Sequence, residues 1–245
     1  MSKALRVAAG ELPSTTGVRG PRTALLTRGR PAAQRLVRAW WHLEVYGAEH
    51  VPTSGPVVMA ANHVGWLDGP LLAICAPRPV HALTKREMFS GPMAPFLLAA
   101  GQIPLDRWAV DVRAIRTSVQ TLREGQVVGV FPEGARGAGE MTSPRSGAAY
   151  LALVTGAPVV PVSFLGTRPR GGHDGALPAR GSRLAMTFGQ PVAVPATPWP
   201  RTQKKIANTA ADVTAAIIET MKEAERRTGM TLPGPLGPRR EKKRA

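Results

Sequence analysis

Short apolar segments alternate with helical segments along most of the chain, and this alternation constrains the fold more than any other feature. In the clearest case, the apolar stretch Gln126–Phe131 carries almost no polar side chain on either side. A strand of this kind needs cover on both faces, as in a parallel sheet between layers of helices. The preceding stretch, Asp111–Arg123, places Ile115, Val119 and Leu122 at helical spacing. Such alternation is typical of α/β domains.

The complete pattern predicts a single α/β domain with a mostly parallel sheet covered by helices, preceded by an N-terminal amphipathic helical segment. At 245 residues the chain is long enough for one domain with a full core. The predicted strands are Leu43–Tyr46, Pro56–Ala61, Val80–Thr84, Gln102–Leu105, Gln126–Phe131, Pro158–Phe164 and Leu184–Phe188. The predicted helical stretches are Asp68–Ala76, Met88–Ala100, Asp111–Arg123, Ser146–Thr155 and Thr202–Arg227.

The two ends of the chain are predicted to lie outside the folded domain. Residues 1–21 are interpreted as a flexible basic arm and residues 22–230 as the domain itself. Residues 231–245 are rich in proline and glycine and end in a basic cluster, so they are predicted to form a disordered basic tail.

The charge balance indicates what kind of partner the chain meets. Lys and Arg number 32 against 16 Asp and Glu, for a net charge of +16. Nucleic acid, anionic lipid headgroups and phosphate-bearing substrates would all suit such a surface. Aromatic residues are only 5% of the chain and no nucleic-acid motif is present, so nucleic-acid binding is the weaker interpretation.

The apolar segments are too short for a spanning helix, and no secretory leader is recognised, so the chain is predicted to lie on a membrane rather than cross it. Its single cysteine, Cys75, lies in an apolar run and is predicted to be a buried, inert thiol. One cysteine excludes a disulfide framework or a cysteine-based zinc site within one chain, and a reducing cytoplasmic compartment fits.

Residues 22–43 combine an apolar stripe with a basic cluster. The stripe comprises Ala33, Leu36, Val37, Trp40 and Trp41, and the basic residues are Arg28, Arg30, Arg35 and Arg38. A basic amphipathic helix that ends in two tryptophans suits an anionic membrane surface, with Leu36, Val37, Trp40 and Trp41 inserting. The alternative is a helix packed on its own domain with an arginine-rich solvent face. The pattern favours neither, and both can hold.

The sharpest local feature is the pair His63 and Asp68, between a predicted strand and a predicted helix that Asp68 would cap. The carboxyl end of a strand is where α/β proteins place ligands. On one ideal helix these residues would point about 140° apart, so contact requires a turn, which Gly65 could supply. A carboxylate on one imidazole nitrogen leaves the other as a general base. The alternative is a polar loop histidine beside a helix cap.

Two further segments carry groups suited to anion binding. In Phe131–Gly137, Glu133 can accept hydrogen bonds, Gly134 permits backbone N–H groups to face an anion, and Arg136 can clamp a phosphate. The alternative is an ordinary Pro-Gly turn with solvated charges. In Gly101–Arg107, Arg107 is a second candidate phosphate ligand, and the alternative is a surface Asp–Arg pair. Val159–Val162 contains Pro161, which predicts a bulge or a sheet margin.

Together these segments resemble the four ordered blocks of the glycerolipid acyltransferases, whose type member is 1-acylglycerol-3-phosphate acyltransferase. The blocks are Asn-His-x4-Asp, Gly-x-Ile-x-x-Asp-Arg, Phe-Pro-Glu-Gly-x-Arg and Val-Pro-Val, and they begin at Asn62, Gly101, Phe131 and Val159. The resemblance implies that His63 is the base and that Asp68 orients it. It also implies that Arg107, Glu133, Gly134 and Arg136 bind the glycerol phosphate.

The resemblance further implies an activity and its partners. The expected reaction moves a fatty acyl group from acyl-CoA or acyl carrier protein to the free hydroxyl of 1-acylglycerol-3-phosphate, forming phosphatidic acid. No cofactor or metal is expected, and the expected partners are lysophospholipid, an acyl thioester and an anionic membrane surface at the cytoplasmic face, with no nucleic acid. Glycerol-3-phosphate, a lyso-aminolipid or a glycolipid remain alternative acceptors.

This sequence departs from the family pattern at two positions. Ala135 stands where the third block usually has threonine, which removes a hydroxyl donor. Arg145 stands close to where the family often carries a lysine before glycine. Both positions bear on which headgroup the site accepts.

Overall fold

A computed structural model describes residues 12–238, which form a seven-stranded sheet with helices on both faces. The strands are β1 (His42–Tyr46), β2 (Val57–Ala61), β3 (Val80–Lys85), β4 (Ile103–Leu105), β5 (Val127–Val130), β6 (Val159–Leu165) and β7 (Arg183–Phe188). Their order is β1-β7-β6-β2-β5-β3-β4, and only the β6–β7 pair is antiparallel. The prediction of an α/β domain with a mostly parallel sheet is confirmed.

The helices are α1 (Ala24–Arg28), α2 (Arg30–Trp40), α3 (Asp68–Cys75), α4 (Ala94–Ala99), α5 (Val112–Arg123), α6 (Gly147–Thr155) and α7 (Gln203–Thr228). Short 3₁₀ turns occupy Ala48–His50 and Arg86–Phe89. The predicted stretch Met88–Ala100 is therefore divided into a 3₁₀ turn and α4. Pro95 lies in the first turn of α4, where a missing backbone N–H costs nothing.

The core has two layers because successive side chains of each strand point to opposite faces of the sheet. Val58 and Ala60 of β2 face a layer formed mainly by α5, α6 and α7. Met59 and Ala61 face the other layer, to which Leu71 and Leu72 of α3 and the partly buried residues of α2 contribute. The two layers cover both faces of the central strands, which accounts for their continuous apolar sequences.

One edge of the sheet collects the carboxyl ends of five strands. Strands β2, β3, β4, β5 and β6 run in the same direction, whereas β7 and β1 run the opposite way and begin at that edge. We call it the carboxyl edge. Ligands of open α/β sheets bind outside this edge, so the loops that follow the five strands are where a site is expected.

Pro161 lies inside the sheet and beside a bulge. Strand β6 stands between β7 and β2, and Pro161 pairs in register with Ala60, so its interpretation as a sheet-margin residue is wrong. The alternative interpretation, a bulge, is confirmed: antiparallel pairing stops at Val162–Phe188 and resumes at Val159–Val192, so three residue steps of β6 face four on the other strand. The missing N–H of Pro161 falls within this break in the regular ladder.

The described parts of the two predicted flexible ends make contacts with the domain beyond its predicted bounds. Arg116 and Arg123 donate hydrogen bonds to Ser14 and Thr15 in the segment 12–21. In the segment 231–238, Leu232 packs against the core and Gly237 donates its N–H to Gly172. Backbone groups of both segments find partners on the domain, which gives them a fixed place. Residues 1–11 and 239–245 lie outside the described part.

Helix α2 divides its predicted stripe between two environments. Val37 and Trp41 pack against the core, and the Trp41 indole N–H donates to the carbonyl oxygen of Pro178. The prediction that these two residues insert into a membrane is therefore wrong. Leu36 and Trp40 remain 61% and 48% exposed. None of the helices within residues 12–238 combines the length and the apolar character needed to span a bilayer.

Candidate active site

His63 and Asp68 are in contact at the carboxyl edge, where the connection from β2 to α3 turns back on itself. The Nδ1 atom of His63 lies 2.9 Å from Oδ2 of Asp68. Since a carboxylate can only accept, Nδ1 carries the shared proton, and Nε2 is the nitrogen able to take a proton from another group. The imidazole is partly open to solvent, whereas Asp68 is fully buried. The predicted pairing is therefore present.

Four hydrogen bonds hold the Asp68 carboxylate in place. Oδ2 accepts from the backbone N–H groups of Val64 and Gly65, at 2.7 and 2.8 Å, as well as from His63. Oδ1 accepts from the hydroxyl of Thr167. The prediction that Asp68 caps α3 is wrong, because its side chain closes the preceding turn and the N-cap position belongs to Leu67. A carboxylate so fully bonded gives the imidazole one fixed orientation.

A close backbone contact explains why a glycine stands at position 65 in the turn. A Cβ atom at this position would lie 2.5 Å from the carbonyl oxygen of Thr167. The backbone of the turn therefore approaches the segment after β6 too closely for any side chain. This approach brings the Thr167 hydroxyl within reach of Asp68.

The segment after β5 fixes His63 through its backbone and its ring. Glu133 Oε1 accepts the N–H of His63 at 2.8 Å, and the N–H of Gly137 donates to the carbonyl oxygen of His63 at 2.9 Å. The ring of Phe131 stacks on the imidazole, with 4.3 Å between centroids. The first and third sequence blocks thus form one unit. Glu133 in this structure positions His63, a contact that the sequence did not predict.

The carboxyl group of Glu133 has an unusual proton affinity. Burial raises the pKa of Glu133 to about 7, and the nearby charges of Asp68 and Glu140 act in the same direction, while the hydrogen bond from the His63 N–H opposes them. Both protonation states keep an oxygen that can accept the His63 N–H. The positioning contact therefore does not depend on ionisation of Glu133.

Arg107 reaches from the end of β4 to the third block. Its Nη1 donates to the carbonyl oxygen of Gly134 at 3.1 Å, and its Nη2 lies 3.7 Å from Glu87. Arg145 links the same two blocks, since its Nη1 donates to the carbonyl oxygen of Arg107 at 2.6 Å. Gly134 has a φ of +69°, and a Cβ there would lie 2.9 Å from Nε of Arg145. The close approach of Arg145 and the positive φ both favour glycine.

Arg136 points to a different part of the edge. Its Nη1 donates to the carbonyl oxygen of Asp174 at 2.6 Å, in the long loop between β6 and β7. The structure thus joins His63, Asp68, Glu133, Gly134 and Arg107 through direct contacts. Arg136 is attached to the same block but makes its described bond with the neighbouring loop.

Arg168 is a functional candidate that the sequence interpretation missed. This arginine is buried behind the His63–Asp68 turn and donates to the carbonyl oxygens of Val64, Gly137, Gly172, Gly234 and Pro235. It therefore ties the His63 turn to the third block, the β6–β7 loop and the segment after α7. Burial lowers the pKa of Arg168, and the nearby negative charge of Asp68 acts in the opposite direction.

Thr167 and Asn62 are the other residues whose roles only the structure reveals. Asn62 bonds through both ends of its amide to the backbone of Phe164 and so fixes β2 against β6. A signal for Thr167 and Arg168 was present, because polar residues directly follow the buried strand β6 at its carboxyl end. The same rule led to His63 after β2, but the fourth block, Val159–Val162 in β6, contains no polar residue and stops short of Thr167 and Arg168.

Comparisons with known proteins identify the family of the chain. A family model described as Acyltransferase matches residues 42–165. The chain is 31% identical over 152 residues to a 1-acyl-sn-glycerol-3-phosphate acyltransferase of Bacillus subtilis, covering 61% of this chain and 73% of that protein. It is 35% identical over 144 residues to a lyso-ornithine lipid O-acyltransferase of Pseudomonas aeruginosa, covering 55% of each.

A solved structure supports the fold independently. The crystal structure of the 1-acyl-sn-glycerophosphate acyltransferase PlsC from Thermotoga maritima superposes with a TM-score of 0.60, over 81% of this chain and 80% of that one, at 21% identity. The family pattern spans half of the chain and includes the His63 turn, Arg107 and the third block. The chain therefore belongs to the acyltransferase family and is an O-acyltransferase of the lysophosphatidic acid acyltransferase type.

Proposed function

We propose that the chain transfers a fatty acyl group from acyl-CoA or acyl carrier protein to the free hydroxyl of 1-acylglycerol-3-phosphate, which forms phosphatidic acid. The observation that carries the proposal is the His63–Asp68 pair at the carboxyl edge, with Nδ1 engaged by a buried carboxylate. Arg107 and Arg136 extend from neighbouring segments of the same edge and supply positive charge for a phosphate. The named activity of the Bacillus relative supports the same acceptor.

In the proposed reaction His63 acts as a general base. Its Nε2 takes the proton of the acceptor hydroxyl while the hydroxyl oxygen attacks the thioester carbonyl carbon. The tetrahedral intermediate collapses by breaking the carbon–sulfur bond, and the thiolate takes the proton from the imidazolium. Asp68 stabilises the imidazolium without accepting its proton. The route needs no acyl-enzyme, in keeping with Cys75, whose pKa burial raises to about 11.

Positioning of the acceptor supplies a second part of the proposed rate enhancement. Arg107, Arg136 and Glu133 lie in segments that are bonded to one another, so a phosphate held by the arginines would have a fixed distance to His63. Holding a hydroxyl near a base in this way lowers the entropic cost of the reaction. The hydrogen bonds of Arg107 and Arg136 to backbone carbonyl oxygens orient both guanidinium groups before the acceptor binds.

The direct test is an acyl-transfer assay with purified protein, read by lipid mass spectrometry. Lysophosphatidic acid with a long-chain acyl-CoA is expected to yield phosphatidic acid. The acceptor panel adds glycerol-3-phosphate, lyso-ornithine lipid and a glycolipid, and acyl carrier protein replaces CoA in a parallel series. Lyso-ornithine lipid is included because of the 35% identity with its acyltransferase. Product from another acceptor, with none from lysophosphatidic acid, would reject the proposed acceptor.

The phosphate assignment predicts a selective effect of Arg136. Arg136→Ala is expected to raise KM for the phosphate-bearing acceptor by about tenfold or more, because a charge-assisted hydrogen bond is lost. KM for the acyl donor should change much less. Lysine at this position should restore little, since it lacks the planar fork of arginine. Steady-state kinetics with each substrate varied in turn measure the two constants.

Arg226→Ala is the matched control, since it removes an exposed arginine that pairs with Glu219 and Glu223 on α7. It should leave both KM values near those of the wild type. An equal rise of both constants in Arg136→Ala would instead assign this residue a structural role, through its hydrogen bond to the Asp174 carbonyl oxygen.

We further propose that the exposed side of α2 docks on an anionic membrane. Leu36 and Trp40 are the exposed large hydrophobic residues of this helix, so the double variant Leu36→Ser/Trp40→Ser should bind vesicles more weakly than the wild type. Salt should weaken wild-type binding only in part, because apolar insertion is not screened. Co-sedimentation with phosphatidylcholine vesicles, with and without phosphatidylglycerol, measures binding. Unchanged binding by the double variant would remove α2 from the membrane contact.

A further inference from the structure

An apolar loop follows β4 at the carboxyl edge. Trp108 and Val110 are 81% and 82% exposed, more than any other large hydrophobic side chain within residues 12–238, and Val112 follows them. Single exposed apolar residues are common on protein surfaces, but here two lie at alternate positions of one short loop and a third is the first residue of α5, so the three form a patch. The function proposed for the site gives these three side chains no role.

The loop is held from its inside by two carboxylates. Asp111 accepts the N–H groups of Asp106 and Ala114, and Asp106 accepts the N–H of Trp108. Arg86 pairs with both carboxylates. The acidic groups of the loop are thus bonded to its backbone, and Arg86 offsets one of their two charges, while the apolar side chains face solvent. The structure presents a preformed apolar tip.

The loop and the C-terminal end of α2 lie at opposite ends of the same edge. Strand β4 is the last strand at one end of the sheet, and β1, which directly follows Trp41, is the last at the other. Six interstrand steps of about 4.8 Å separate these strands by roughly 29 Å. Strand β2, which His63 follows, lies between them. Trp66, in the turn between His63 and Asp68, is also exposed. A flat lipid surface can touch both ends of this edge at once.

The charges around the loop suit anionic lipid. The guanidinium of Arg107 lies over the Trp108 ring, at 5.6 Å from its centroid, and Arg113 is exposed at the start of α5. Cations beside an inserting tryptophan meet anionic headgroups while the ring enters the interface. An apolar tip bordered by arginines therefore matches a bilayer better than it matches a water-soluble substrate.

We propose that the loop Asp106–Val112 is a second membrane anchor, in which Trp108 and Val110 insert into an anionic lipid surface at the entrance to the active site. The proposal rests on the function proposed above, because an acyltransferase for a lipid acceptor works where lipids are. Together with α2, the loop orients the carboxyl edge toward the bilayer. A lysophospholipid then reaches His63 from the membrane surface, with its phosphate passing Arg107.

The test is vesicle co-sedimentation of the full chain with the double variant Trp108→Ser/Val110→Ser. On phosphatidylcholine–phosphatidylglycerol vesicles its partition coefficient is expected to fall by about tenfold or more, because the favourable free energy of insertion decreases with the apolar area withdrawn from lipid. Trp108→Phe should retain most of the binding. Circular dichroism and thermal unfolding should show unchanged folding, since both side chains are exposed in the free protein.

The matched control is Trp199→Ser, which removes a tryptophan that is 56% exposed. Trp199 follows Val192, which pairs with Val159 at the start of β6. Because β6 begins at the edge opposite the carboxyl edge, we place Trp199 toward that opposite edge. Its loss should leave vesicle binding unchanged. Quenching by brominated lipids gives a second readout, because Trp108→Phe should remove a large share of the quenched fluorescence if Trp108 inserts.

Vesicle binding is measured without any acyl transfer, so a chain that lacks the proposed activity still tests the anchor. Equal partition of wild type and Trp108→Ser/Val110→Ser would overturn the proposal. So would a loss of affinity for acyl carrier protein with vesicle binding intact, because the loop would then be a protein-docking surface. An effect of Trp199→Ser equal to that of the double variant would also overturn it.

Discussion

Replacement of His63 by alanine is expected to lower the rate of acyl transfer by about 10²–10⁴, the usual effect of losing a general base. The physical reason is that Nε2 of His63 is the proposed acceptor of the hydroxyl proton, with Nδ1 occupied by Asp68. KM values should change little, because the imidazole has no assigned role in binding either substrate. Initial rates with lysophosphatidic acid and acyl-CoA measure the loss.

His42→Ala is the matched control, since it removes an exposed histidine at the start of β1. It should keep wild-type rates. The thermal unfolding midpoint of His63→Ala should stay close to that of the wild type, because the backbone bonds to Glu133 and Gly137 do not involve the ring. If the turnover rate of His63→Ala were within a few-fold of the wild-type rate, the general-base mechanism would be rejected.

Asp68→Asn is expected to reduce both activity and stability. The carboxylate accepts bonds from His63, Val64, Gly65 and Thr167, and an amide has one acceptor oxygen in place of two. One orientation of the amide turns its NH₂ toward the three N–H donors, and the other turns it toward the Thr167 hydroxyl, which can accept. In both orientations the negative charge that stabilises the imidazolium is lost. We expect a rate loss of about 10²–10⁴ and a decrease of roughly 1–3 kcal/mol in the free energy of unfolding.

Steady-state kinetics and urea unfolding separate the two effects of Asp68→Asn. Thr167→Val serves as the control, because it removes one donor to Asp68 and leaves the bond to His63 in place. Its rate should fall far less than that of Asp68→Asn. If Asp68→Asn unfolds like the wild type and retains near wild-type turnover, Asp68 neither orients His63 nor supports the turn.

Most of the fold was predictable because local patterns set it. The apolar segment 126–131 became β5 and the periodic stretch before it became α5, with bounds that differ by at most two residues. For Pro161 the sequence left two alternatives, a bulge or a sheet margin. Where a strand stands in the sheet depends on contacts that are distant in sequence, and only these contacts show that β6 is internal and that its antiparallel pairing shifts by one residue beside the proline.

The candidate site was predictable to the extent that its residues follow strands. His63, Asp68, Arg107 and Glu133 were found in that way, and the structure places them in one connected group. The contacts of Glu133 with the His63 backbone and of Arg168 with five carbonyl oxygens were not predictable. A backbone partner leaves no mark in the sequence, because every residue offers the same N–H and C=O groups.

The sequence by itself determined the α/β class and the resemblance to the family, because periodicity and short motifs are local properties. It offered the pairing of His63 with Asp68 as one of two alternatives, between which the folded turn decided. The tertiary structure decided which apolar residues pack in the core and which remain exposed. Val37 and Trp41 of one stripe pack inside while Leu36 and Trp40 face outward, and Trp108 and Val110 emerge at the far end of the same edge. Burial depends on the residues packed around a side chain, and those are brought together only by the folded chain.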